Sequence, residues 1–93
     1  MPAYVTLYNY RGPVEGGGPE RFKKVAEIVA EENGEILQVY GLLGPHDAVS
    51  ISKFPDNTAA LKAAARVGKL INAQTLTMAA IDREDFLQLL SEV

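Results

Sequence analysis

The chain has 93 residues, 47% hydrophobic and 23% charged, with no cysteine, one histidine and a formal net charge of −3. That length holds one core, so a single domain over residues 1–93 is expected. The composition excludes disulfides and thiolate metal sites, the acidic balance argues against nucleic acid as a partner, and no apolar run reaches the ~20 residues that span a membrane.

The opening MPAYVTLYNY lacks a basic stretch followed by an apolar one, so no secretory signal is expected and the cytoplasm is the expected compartment. Residues 3–9 alternate and are rich in Tyr, Val and Thr, which predicts a first strand. Residues 11–18, RGPVEGGG, read as a crossover loop. They are not a phosphate-binding loop, because Pro19-Glu20-Arg21 follows where Gly-Lys-Ser/Thr would be needed. A first helix starts at Pro19, with Glu20 suited to its positive end, and Phe22, Val25, Ala26 and Val29 make one apolar stripe. Asn33-Gly34 ends it, Gly34 being the expected left-handed cap.

Residues 35–43 and 47–54 predict two strands joined as an antiparallel hairpin by Leu43-Gly44-Pro45-His46. Asp56 or Asn57 caps a second, alanine-rich helix running to about Lys69, with Leu61, Ala64, Ala65 and Gly68 on one stripe. A fourth strand spans about 73–81. Asp82 is the expected cap of a last helix, with Glu84 and Asp85 in its first turn and Phe86, Leu87, Leu89 and Leu90 as its apolar positions.

The order β-α-β-β-α-β with a terminal helix predicts an α+β, ferredoxin-like sandwich: two helices on one face of an antiparallel sheet of strand order 4-1-3-2. The strands separate two sets of side chains. Val5 and Leu7, Leu37 and Val39, Val49 and Ile51, Leu76 and Met78 suit the helix-covered side. Tyr4, Thr6, Tyr8, Ile36, Gln38, Tyr40, Leu42, Ser50, Ser52, Thr75 and Thr77 are then expected on the uncovered side, with Tyr4, Thr6, Tyr8, Ser50 and Ser52 at its centre.

A two-layer domain of this size buries only about 60% of its unfolded surface, so a second copy is expected to finish the uncovered face and form a dimeric α+β barrel. A terminal helix folded back over that face is the competing expectation. A pocket is expected between each sheet and its own helices, or between the two sheets.

The stretch Val39–Asp56, VYGLLGPHDAVSISKFPD, resembles the signature of GYD-domain proteins, in which a Gly-x-Tyr-Asp turn leads into an apolar strand and a Pro-Asp helix start. AYVTLYNY, Pro-Glu-Arg-Phe at 19–22 and the Thr75–Ala79 strand fit the same pattern, so the resemblance covers nearly the whole chain. It implies a dimeric α+β barrel of ferredoxin-like protomers. His46 stands where that family has Tyr, so any role needing a phenol there does not carry over. The turn is also similar to one in the ligand-sensing domain of leucine-responsive-type regulators, which bind amino acids at subunit interfaces. This chain has no helix-turn-helix segment, so the likeness implies a stand-alone version of that domain.

Tyr4, Tyr8, Gln38, Tyr40, His46 and Asp47 are the candidate ligand-binding residues. His46 is also the one candidate general base. Asp47 is read either as holding backbone amides of the turn or as orienting His46 or a ligand. Arg11 is read as pairing with an acidic group of a partner or with an anionic ligand. No metal site and no cofactor are expected. The expected function is a homodimeric binding or assembly module with a small-molecule cavity at the uncovered sheet face. The alternatives are a cofactor-independent monooxygenase or isomerase of the dimeric barrel type, or an amino-acid-sensing domain.

Overall fold

The computed structural model describes residues 1–12 and 17–93. Its elements in chain order are β1 (Ala3–Tyr10), α1 (Gly18–Glu31), β2 (Glu35–Gly41), β3 (Ala48–Lys53), α2 (Asn57–Ile71), β4 (Ala73–Ala80) and α3 (Arg83–Ser91). The strands form one antiparallel sheet ordered β2-β3-β1-β4, which is the expected 4-1-3-2 read from the other edge. With α1 and α2 on one face, this is the predicted ferredoxin-like α+β sandwich with an additional C-terminal helix. Of the loop expected over residues 11–18, residues 13–16 lie outside the described residues and Gly18 already belongs to α1. No described helix is long and apolar enough to cross a membrane.

The helix ends follow local chemistry, with three departures from expectation. Asp56 caps α2 as predicted, its carboxylate accepting from the Ala59 amide at 2.8 Å. At the end of α1 the left-handed residue is Asn33, with φ 60°, and not Gly34. Gly34 answers a different need. A Cβ there would meet the Phe54 ring and sit 2.9 Å from the Lys53 carbonyl oxygen, so only glycine lets the two backbones pass. The α2 helix runs on to Ile71, where Asn72 takes the left-handed cap with φ 52°. Asp82 occupies the cap position of α3 but makes no capping bond; its carboxylate lies 3.8 Å from Lys53 instead.

Both expected helix stripes are shifted. In α1, Val29 is buried while Phe22 is 49% exposed. In α2 the buried stripe is Ala60, Ala63, Val67 and Ile71, and Leu61 points to water. Arg66 on α2 pairs with Glu31 and Glu32 at the end of α1, at 3.3 and 2.9 Å, tying the helices together at the surface.

The two faces of the sheet are reversed from expectation. Tyr4, Thr6, Ser50 and Ser52 are buried under the helices. Tyr4 packs with Val29, Phe54, Ala60 and Ala63, its ring edge-on to Phe54 at 5.9 Å. Tyr8, Val25 and Ile28 pack against a second cluster of Val67, Ile71 and Ala73. Two features make so polar a face burial-competent. The alanines of α2 bring the helix close enough to enclose the tyrosine rings. The hydroxyls also satisfy each other: Tyr4 donates to Asn57 Oδ1 at 2.6 Å, Thr6 pairs with Thr77 at 2.9 Å, and Tyr8 with Ser50 at 2.7 Å.

The alternation in β2 is broken by a bulge. Ile36 sits opposite Ser52 and Val39 opposite Ser50, on the helix side, whereas Gln38 is opposite Ile51 and Tyr40 opposite Val49, on the uncovered side. Leu37 is the extra residue. Of the aliphatic set expected under the helices, Val39 keeps that side, whereas Val5, Leu7, Val49, Ile51, Leu76 and Met78 lie on the other.

Candidate functional site

Three regions hold the candidate residues. The first is the turn between β2 and β3. Gly44 adopts φ 124°, a conformation side-chain-bearing residues avoid, and this lets the chain reverse. The turn is pinned to the end of β1. Asp47 Oδ2 accepts from the Tyr10 amide at 2.8 Å, and the Asp47 amide donates to the Tyr8 carbonyl at 2.9 Å. Asn9 Nδ2 donates to the Pro45 carbonyl at 2.7 Å, which orients the amide so that its oxygen receives His46 Nδ1–H at 2.8 Å. Asp47 therefore holds a backbone amide, but on β1 and not within the turn, and it does not orient His46. The histidine is partly buried and positioned by Asn9, with Nε2 left as the second polar atom of the ring.

The second region is the uncovered sheet face. The register sets two rows of four across β2-β3-β1-β4: Gln38, Ile51, Val5, Met78 and Tyr40, Val49, Leu7, Leu76. Seven of these eight are aliphatic, thioether or aromatic. Tyr40, Leu76 and Met78 are 52, 53 and 40% exposed, and Tyr40 spends its hydroxyl on Gln38 Oε1 at 3.2 Å. The α3 helix does not fold back to shield this face. It buries none of its own residues, and Phe86, Leu87, Leu89 and Leu90 stay about half exposed.

The third region is a cavity of about 180 Å³ on the opposite, helix-covered side, between α1, α2 and strands β1 to β3. Its walls include Val25, Val29, Ile36, Val67 and Ile71, and the paired Tyr8 and Ser50 lie against the sheet. Burial pushes the Tyr8 phenol above its ordinary value, so it stays neutral and serves as a hydrogen-bonding group. Tyr10, Phe22 and Val39 form a partly open rim. Arg21, in the first turn of α1, also lines this space. Its Nε is buried and meets no hydrogen-bond acceptor among the described residues.

The candidate ligand residues do not converge on one site. Tyr4 is core, Tyr8 lines the helix-side cavity, Gln38 and Tyr40 lie on the uncovered face, and His46 with Asp47 braces the turn. Arg11 sits beyond β1, its amide donating to the Asn72 carbonyl at 2.9 Å. Sequence reasoning passed over Arg21. The signal was its place four and eight residues before Val25 and Val29, which puts a cation on the inner stripe of α1. Among the described residues no group of three or more His, Asp or Glu side chains could hold a metal ion.

Solved structures share this fold. A feast or famine regulatory protein from M. tuberculosis, complexed with L-methionine, is 13% identical, with a TM-score of 0.67 over 88% of this chain and 51% of that one. FFRP-DM1 is 19% identical with a TM-score of 0.61 over 87% of this chain and 100% of its own. TTHA0845 from Thermus thermophilus is 21% identical with a TM-score of 0.57, covering 88% of this chain and 95% of its own. The chain spans about half the length of the longer regulators it matches. No curated protein is significantly similar in sequence. The GYD domain model matches residues 4–90, nearly the whole chain, and the protein belongs to the GYD domain family.

Proposed function

We propose that this protein is a homodimeric binding module of the cytoplasm, built by packing the aliphatic sheet faces of two copies against each other and carrying a small molecule. The observation behind this reading is the two-row grid of Val5, Leu7, Val49, Ile51, Leu76, Met78 and Tyr40, left without a cover by the described residues of its own chain. The reversal of faces strengthens the case over the expectation from sequence, because the side presented outward is aliphatic and not hydroxyl-bearing. The cysteine-free composition is compatible with the cytoplasmic placement, since nothing in it calls for an oxidising compartment.

The amount of surface supports it. The chain exposes 6417 Å², whereas a compact monomer of 10.1 kDa exposes about 5300 Å² by the usual mass scaling. The excess, about 1100 Å², is of the order of the ~800 Å² that each partner contributes to a standard interface. At 14.1 Å the radius of gyration also exceeds the ~12 Å of a compact chain of this length. The apolar side of α3 adds to the sheet face as area for a second copy. Sedimentation equilibrium at micromolar concentration tests the reading. A mass of twice 10.1 kDa is expected, and a species of single-chain mass throughout overturns it.

A further inference from the structure

The helix-side cavity is chemically lopsided. Its walls are mostly aliphatic and aromatic, the hydroxyls of Tyr8 and Ser50 are already paired with each other, Ser52 adds one more hydroxyl on the sheet side, and Arg21 is the one charged side chain along it among the described residues. A guanidinium is charged at all ordinary pH values, and a buried donor without an acceptor is costly. Among the described residues nothing acidic lines the space to relieve it. We propose that this cavity binds a small monocarboxylate with an apolar tail, the carboxylate on Arg21 and the tail among Val25, Val29, Val67 and Ile71.

The pieces fix the ligand class. Guanidinium presents paired N–H donors that match the two oxygens of a carboxylate. Four hydroxyls line the space, but Tyr8 and Ser50 are paired with each other and Tyr10 stands at the rim, so beside Arg21 only Ser52 is left within it, fewer donors than a phosphate dianion needs. A free amino acid would bring an ammonium group, and among the described residues no carboxylate lines the cavity to receive it. Size sets the tail. A cavity of about 180 Å³ has room for about six water volumes, and one of about 150 Å³ holds benzene, so about six to nine non-hydrogen atoms fit. Hexanoate meets both requirements. The half-exposed rim of Tyr10, Phe22 and Val39 provides the way in.

This inference rests on the small-molecule part of the proposed function and adds its site and chemistry. It does not need the second copy, because the cavity and the uncovered grid lie on opposite sides of the sheet.

The test is a titration of the full chain, isotopically labelled, followed by amide NMR shifts. The probes are sodium hexanoate, 1-hexanol, hexylammonium and L-methionine. Hexanoate is expected to give saturable shifts at Val25, Val29 and Ser50, binding at least about tenfold tighter than hexanol, with hexylammonium and L-methionine weaker still. Arg21→Gln should bring hexanoate down to the level of hexanol. Val39→Trp, at the rim, should weaken both with the circular dichroism spectrum unchanged. Should Arg21→Gln fail to fold, the ranking of the four probes on the unaltered chain decides alone. The proposal is overturned if hexanoate shifts no cavity amide, if hexanol or L-methionine binds as tightly, or if folded Arg21→Gln keeps the preference. Lost binding in a chain that still sediments at twice its mass sinks this proposal alone. Binding by a monomer sinks the dimer alone.

Discussion

Leu76→Asp separates assembly from folding. Leu76 sits on edge strand β4 beside Leu7 and is 53% exposed in the single chain, so the fold loses little when it changes. Fully burying a leucine is worth about 1.5–3 kcal/mol, which leaves about 1 kcal/mol per copy for the half that a partner would still cover. A carboxylate forced into the same contact without a partner adds about 1–3 kcal/mol. Two-fold symmetry counts both terms twice, for a total of about 4–8 kcal/mol, or a thousandfold or greater rise in the dissociation constant. Leu61→Asp is the matched control: Leu61 is 69% exposed, but on the outer side of α2. Light scattering after size exclusion, with circular dichroism alongside, reads the outcome. Leu76→Asp should run as a folded species of 10.1 kDa while Leu61→Asp keeps twice that mass. If Leu76→Asp stays at the doubled mass, the sheet face is not the interface.

Three further predictions concern the fold and its tuning. Gly34→Ala drives a methyl into the Phe54 ring and the Lys53 carbonyl, and should cost about 1–3 kcal/mol by urea denaturation even though the backbone angles tolerate alanine. Asp56→Ala removes the acceptor for the Ala59 amide and should cost about 1 kcal/mol, with Asp56→Ser restoring most of it. The Tyr8 phenol is raised from its ordinary 10.0, chiefly by burial, so the folded chain holds that proton more tightly than the unfolded one. Its contribution is intact below the unfolded value and is lost as pH rises through the folded one. Tyr8→Phe should flatten that part of the alkaline decline in urea midpoints.

Periodicity and turn chemistry made the order of elements readable from sequence. Pro19, Asp56 and Gly44-Pro45 each mark a local event that needs no tertiary knowledge, and the strand order follows from two right-handed crossovers. The faces were not readable. Alternation shows that Tyr4 and Val5 point opposite ways, but not which way is in. The rule that aliphatic residues go inward holds for a chain that buries one core. It misassigns a chain whose hydroxyl-bearing side satisfies itself through Tyr4–Asn57, Thr6–Thr77 and Tyr8–Ser50, leaving the aliphatic side uncovered by its own helices. The β2 bulge was equally hidden, because one extra residue at Leu37 leaves no mark in the pattern yet parts Gln38 and Tyr40 from Ile36, so that those two keep the uncovered side expected of them while Ile36 turns under the helices.

The candidate site was partly readable for the same reasons. His46 and Asp47 stood out by residue type, and the structure gives Asp47 a bracing bond to β1 and His46 a bond to Asn9. Arg21 did not stand out, because a cation in the first turn of a helix usually faces water. Its meaning depends on how α1 rests over the sheet, with Phe22 turned partly out and Val25 and Val29 turned in.

The most direct test of the central claim mixes copies labelled with 13C at their methyl groups with unlabelled copies and records contacts between them by isotope-filtered NMR. Cross-peaks joining the Val5, Leu7, Val49 and Ile51 methyls of one copy to protons of the other are the expected result. Contacts confined to the outer side of α2, or none at all with the tumbling of a 10.1 kDa particle, would contradict it.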